Sequence, residues 1–270
     1  MITDQEVIKL FKEIASVSLD LTDAQIKRKN KQIFSRRGHE EFPVGCSHHM
    51  QVFNQFDVIP EYCFDCYKVQ ISPRNILELL KLTLIFDFDK YGLKIPNRRK
   101  CMTEERPDSS GAYKGFVYCK GVKDGNEVFK IIRDVVSEHI SPNVDVNFKR
   151  GCSEYTHSYP KFPRTKSGRK SNQAVMLYKK SWKEQEEKFD KHYSVSERTV
   201  PPDQHDLTDF IAGDGVSSYS GVNVFCIQYW LRYAASIGDK SYLDITGIEV
   251  PPIPDFNRPP FIDNPHKLST

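Results

Sequence analysis

The chain has 270 residues, of which 39% are hydrophobic and 28% charged, with a formal net charge of +3. This composition excludes wholesale disorder and any coiled-coil bias, and the small net charge gives no whole-chain attraction to a polyanion or a membrane. The length allows one large domain or two small ones, with a core that needs no covalent staples.

The N-terminus, MITDQEVIKLFKE, carries charges where a signal peptide has an apolar core, and no apolar run reaches the length of a membrane span. We therefore expect a cytoplasmic protein without a membrane partner. Seven cysteines, odd in number and scattered, fit reduced thiols and a metal site better than a disulfide framework.

In chain order, Thr3-Asp-Gln-Glu6 is a capping-box pattern followed by Val7, Leu10, Phe11 and Ile14 at helical spacing, which predicts a first helix. Thr22-Asp-Ala-Gln25 repeats the signal and predicts a second helix through the basic run to about Gly38. Residues 46–71 predict a small hairpin, with QVFNQFDVI and YKVQI as its strands. Ser72-Pro73 then starts a helix carrying Ile76, Leu79, Leu80, Thr83 and Phe86 on one face.

Residues 100–106 and 113–120 read as strands, and Asp124-Gly-Asn-Glu127 opens a helix with Val128, Ile131, Ile132, Val135 and Val136. Residues 144–148 alternate as a fourth strand. The order β-α-β-β-α-β is that of the ferredoxin-like split unit. A charged helix near residues 179–192, an apolar helix over 221–237 and a Pro-rich tail follow.

The expected fold is thus α+β. A helical segment with a basic face (residues 1–45) precedes a zinc-type hairpin and ferredoxin-like core (46–155). A basic connection, a buried C-terminal helix and the extended tail make up 156–270.

Cys46, His49, Cys63 and Cys66 are spaced C-x2-H, then 13 residues, then C-x2-C. Two residues between paired ligands let one tight turn present both side chains to one ion, so the spacing points to a zinc site. His48 competes with His49 for its place, and buried structural cysteines are the alternative to a metal.

Lys114-Gly-Phe-Val-Tyr118 resembles the start of the ribonucleoprotein signature of the RNA-recognition motif, with Lys114, Phe116 and Tyr118 sharing one face of a strand. The resemblance implies a platform on which bases stack. It departs from the signature at Val117, Cys119 and Gly121.

Two basic runs point the same way. Residues 27–37 hold six basic side chains and no acid, namely Lys27, Arg28, Lys29, Lys31, Arg36 and Arg37. Residues 161–183 hold eight with no acid, Arg169 and Lys170 at their centre. Such blocks hold phosphates or are merely solvated.

His39, Glu41, Pro60, Cys63 and Cys66 loosely resemble the H-x-E and P-C-x-x-C signature of zinc nucleobase deaminases, although Pro60 is not adjacent to Cys63. That resemblance implies His39, Cys63 and Cys66 as ligands and Glu41 as acid/base.

The candidate catalytic group is Cys152 with Arg150 and Glu154 at the end of the fourth strand, where flanking cations favour a thiolate. The function expected first is a zinc-stabilised protein binding RNA or single strands through its basic segments and an open sheet face. The alternatives are a metal- or thiol-dependent enzyme, at the Cys/His cluster or around Cys152, and an interaction protein docking a partner through its Pro-rich tail.

Overall fold

The structure is a computed structural model that describes residues 1–16, 32–35, 46–106, 109–163, 176–192, 221–254 and 256. In order the elements are α1 (Asp4–Ser16), β1 (Gln32–Phe34), α2 (Cys46–Phe56), α3 (Glu61–Phe64), β2 (Cys66–Ser72) and α4 (Ile76–Asp87). Next come β3 (Arg99–Thr103), β4 (Tyr113–Lys120), α5 (Gly121–His139), β5 (Asp145–Arg150) and α6 (Glu154–Ser158). The last three are α7 (Lys180–His192), α8 (Gly221–Ile237) and α9 (Tyr242–Thr246).

The strands form one antiparallel sheet in the order β1-β3-β4-β2-β5. Central β2 is held on both sides: Lys68 lies opposite Tyr118 of β4 and opposite Lys149 of β5.

Local chemistry sets the helix starts. Thr3 and Glu6 cap α1 reciprocally, since the Thr3 amide donates to Glu6 Oε2 at 2.8 Å and the Glu6 amide to Thr3 Oγ1 at 3.2 Å. Asn75 caps α4, its side chain accepting from the Glu78 amide at 2.9 Å. The cap is thus Asn75 and not Ser72, because Ser72 still pairs with Asp145 in the sheet.

One face of the sheet packs on helices. Tyr67, Val69 and Ile71 of β2, Tyr113, Val117 and Cys119 of β4, and Cys101 of β3 join Leu79, Leu82, Val128, Ile132 and Val136 in the main core. Every residue of α4 is buried, because α1 and α8 cover the side that the sheet leaves free. Charges inside this layer are paired: Lys81 Nζ lies 2.6 Å from Asp4 Oδ1, and Arg74 pairs with Glu78.

Glu104 is similarly held, its side chain 3% exposed and accepting from Arg106 Nε at 2.9 Å and Nη2 at 2.8 Å. Burial by itself disfavours its charge, but the Arg106 bonds outweigh this and hold the carboxyl below its ordinary value of 4.5. A depressed folded-state pKa contributes stability above the unfolded value that is lost as pH falls through the folded one. We expect the Tm to fall on acidification below pH 4.5, and Glu104→Gln to lower the Tm at neutral pH while flattening that acid limb. An unchanged acid limb in Glu104→Gln would assign the acid sensitivity to other carboxylates.

Two expectations change. The segment QVFNQF is helical, not a hairpin strand, because Met50, Val52, Phe53 and Phe56 share a face that packs with Tyr155 and Phe189. That burial outweighs the strand preference of its aromatics. The basic run includes β1, an edge strand pairing Ile33 with Cys101, so residues 32–34 are not helical; residues 17–31 lie outside the described residues. The tail starts irregular and lies on α8, with the Ile253 amide donating to Ser236 Oγ at 2.8 Å and Phe256 packed against Tyr233; most of it lies outside the described residues.

Candidate functional site: a lysine-lined sheet face ending in thiols

Alternation along the strands sends the even-numbered residues of β2, β3 and β4, and the odd-numbered ones of β5, to the face opposite α4 and α5. This face carries Cys66, Lys68 and Gln70 of β2, Lys100 and Met102 of β3, Lys114, Phe116 and Tyr118 of β4, and Asn147 and Lys149 of β5. The ammonium groups of Lys68, Lys100 and Lys149 stand 5.9, 5.7 and 5.2 Å from the Phe116 ring centre, and Lys68 also lies 5.4 Å from that of Tyr118. Lys114 donates to the Ser110 carbonyl.

Phe116 and Tyr118 are only 9% and 4% exposed and pack with Cys66, Tyr62 and Met102. Their faces hold ammonium groups and are not bare platforms. Burial and the neighbouring Lys68 push the Lys100 pKa down to about 8 and lower that of Lys149. Burial also opposes the charge of Lys68, yet Cys152, Tyr118 and Cys66 together hold its pKa above the lysine range. Among the described residues no carboxylate forms an ion pair with Lys68 or Lys149.

At the end of this face the thiols gather. The Gly151 amide donates to the Cys66 carbonyl at 2.8 Å, which sets Cys152 beside the start of β2, where it accepts from Lys68 Nζ at 2.9 Å. Gly151 is required there: its φ is +59°, and a Cβ would lie 2.3 Å from Phe162 Cε1.

Cys63, in α3, is buried in an apolar cluster with Tyr155, Phe162, Trp182 and Phe189, against which Cys152 packs. Cys46 begins α2 and is exposed. Burial pushes the Cys66 thiol up to about 12 and raises Cys63 as well.

The two histidines separate. His48 Nε2 is bonded to Asp190 Oδ1 at 2.7 Å. His49 stacks on Tyr62 with ring centres 5.4 Å apart, its Nδ1 buried without a partner among the described residues, and burial followed by His48 pushes its pKa down to about 4. Among the described residues, no three His, Cys, Asp or Glu side chains stand in positions to hold one metal ion.

The catalytic candidates do not converge. Arg150 donates to the carbonyls of Phe64 at 2.9 Å and Phe162 at 3.1 Å, while Glu154 pairs with Arg106 at 3.1 Å. Both turn to partners other than Cys152. His39, Glu41, Lys27, Arg28, Lys29, Lys31, Arg36, Arg37, Arg169 and Lys170 lie outside the described residues.

Sequence reasoning missed Lys68 and Lys100, and saw Lys149 only as a cation flanking Cys152. Their signal was lysine on the same strand parity as Phe116 and Tyr118, which only the register turns into one surface.

Fold and site together define a mixed α+β protein with a cationic sheet face that ends in thiols. No family model, curated protein or solved structure matches the chain. Among the described residues, no helix is long and apolar enough to cross a membrane.

Proposed function

We propose that this chain is a zinc-stabilised cytoplasmic protein that binds single-stranded nucleic acid, RNA foremost, on the lysine-lined face of a ferredoxin-like unit. The unit is β2-α4-β3-β4-α5-β5, in which the first strand sits between the third and the fourth. The observation that carries the reading is the set of Lys68, Lys100 and Lys149 around the Phe116 ring, with Lys114 on the same sheet face. Lys68 and Lys149, which form no ion pair with a carboxylate among the described residues, stand close together and call for an anion, and a phosphate backbone supplies a row of them. The rings enter as supports for the ammonium groups.

Titration with single-stranded RNA, single-stranded DNA and duplexes over a salt series tests this. Binding should weaken steeply with salt, and Lys100→Gln with Lys149→Gln should flatten the log-log slope by about 0.7 for each phosphate contact removed. No binding at low salt, or a slope that the double variant leaves intact, would remove the proposal.

The Lys68 contact to Cys152 favours a second reading, a thiol-dependent enzyme in which the ammonium stabilises charge developing on sulfur. In such an enzyme Cys152 stays reactive in protein as purified, whereas a metal ligand is shielded.

A further inference from the structure

We propose that Cys152 and Lys68 form an oxidation-driven switch, in which peroxide converts the Cys152 thiol to a sulfenic acid and the Lys68 nitrogen captures it as a sulfur–nitrogen bond. The bond removes the Lys68 charge from the lysine-lined face. Its effect on nucleic-acid binding rests on the reading proposed above, whereas the bond itself does not.

The geometry carries the pairing. Lys68 Nζ lies 2.9 Å from Cys152 Sγ, with 84 positions of sequence between them. Two other thiols, those of Cys66 and Cys119, meet only main-chain carbonyls of their own strands, at 3.9 and 3.7 Å. Reacting atoms about 3–3.5 Å apart already form a near-attack arrangement, so nitrogen and sulfur stand within bonding approach before any oxidant arrives.

Both ends of the pair are held. Lys68 sits on central β2 opposite Tyr118 and Lys149, and its ammonium rests over the Phe116 and Tyr118 rings. It is 8% exposed and, among the described residues, has no carboxylate partner, so its nitrogen is directed at sulfur and not at an acid. Cys152 follows Gly151, whose φ of +59° and amide bond to the Cys66 carbonyl at 2.8 Å fix where the thiol begins. Access then selects the thiol. Cys152 is half-buried, whereas Cys63, Cys66, Cys101, Cys119 and Cys226 are buried. Cys46 is exposed as well and reports thiol oxidation in the same sample.

The chemistry balances with hydrogen peroxide as the only oxidant. In the first step the peroxide O–O bond breaks, an S–O bond forms and water leaves, so that sulfur is oxidised by the electron pair that reduces the peroxide. In the second, the Lys68 nitrogen attacks the sulfenic sulfur, the S–O bond breaks and the S–N bond forms. The departing hydroxide takes one nitrogen proton and leaves as water, and the extra proton of the ammonium passes to solvent. Sulfenic acids condense in this way with thiols and with backbone nitrogen. The product nitrogen is uncharged, and a thiol reductant cleaves the S–N bond to restore both side chains.

The test treats the full chain with hydrogen peroxide, blocks free thiols by alkylation under denaturing conditions, and maps the digest by mass spectrometry with and without dithiothreitol. The expected result is a joined pair of peptides carrying Lys68 and Cys152, two hydrogens lighter than their sum and released by dithiothreitol. In Lys68→Arg, dimedone should trap Cys152 as a sulfenic acid that wild type shows only weakly. Because that variant can fail to fold, the wild-type map decides by itself. Cys152 recovered from wild type as a disulfide, a sulfinic acid or a dimedone adduct with Lys68 unmodified overturns the proposal, and so does Cys152 left unoxidised.

The joined chain should bind single-stranded RNA with a log-log salt slope shallower by about 0.7, restored by dithiothreitol. A chain that binds RNA with a slope unchanged by the bond overturns the switch. A chain that binds no RNA before oxidation removes the nucleic-acid reading, and the peptide map then judges the bond separately.

Discussion

Asp239→Ala should lower the stability of the folded chain by on the order of 3–5 kcal/mol, as several buried donors lose one acceptor at about 1–3 kcal/mol each. Asp239 is 3% exposed. Its Oδ2 accepts from the Ile76 amide at 2.8 Å and the Tyr113 hydroxyl at 2.6 Å. Its Oδ1 accepts from the Ser241 amide at 3.1 Å and hydroxyl at 2.7 Å. One carboxylate thereby ties the start of α4, the start of β4 and the turn into α9.

Alanine leaves the Ile76 amide buried without this acceptor and removes the 2.6 Å bond of the Tyr113 hydroxyl, and Asp239→Asn turns an amide group toward one pair of donors. Urea unfolding should show the midpoint falling with the m-value unchanged. A midpoint equal to wild type would mean that water or a neighbour replaces these bonds at no cost.

The second large effect is expected at Arg150, whose place beside Cys152 in the sequence suggests catalysis but whose contacts are structural. Its guanidinium is buried, donates to the Phe64 and Phe162 carbonyls, and lies 4.2 Å from the Phe64 ring centre and 4.8 Å from that of Phe162. It fastens the last strand to the Tyr155 cluster. Arg150→Met should cost about 2–4 kcal/mol, because charge-assisted bonds contribute about 1.5–3 kcal/mol and two carbonyls are left unpaired. Arg150→Lys should restore little of this, since an ammonium lacks the planar fork and its stacking.

Thermal unfolding of the two variants decides the matter. A catalytic Arg150 would instead leave the Tm unchanged.

Much of the fold is legible from local signals. The Thr3 and Glu6 capping box, the alternation in β4 and the apolar run of α8 depend on neighbours within a few residues, and the structure places α1, β4 and α8 on those segments. The stretch from Cys46 was misread for the complementary reason. QVFNQF has the composition of a strand, and only the presence of Tyr155 and Phe189, over a hundred residues away in sequence, makes its helical face worth burying.

The candidate site divides along the same line. The sequence by itself determined that Lys114, Phe116 and Tyr118 share a strand face and that Cys63 and Cys66 stand as a close pair, because both relations follow from spacing along the backbone. Only the tertiary structure decided that Lys68, Lys100 and Lys149 surround Phe116, that Lys68 meets Cys152, and that Arg150 turns away to two carbonyls. Those relations are set by strand register and sheet order, which arise from burying one face of β2 against helices far along the chain, and no local window of sequence contains them.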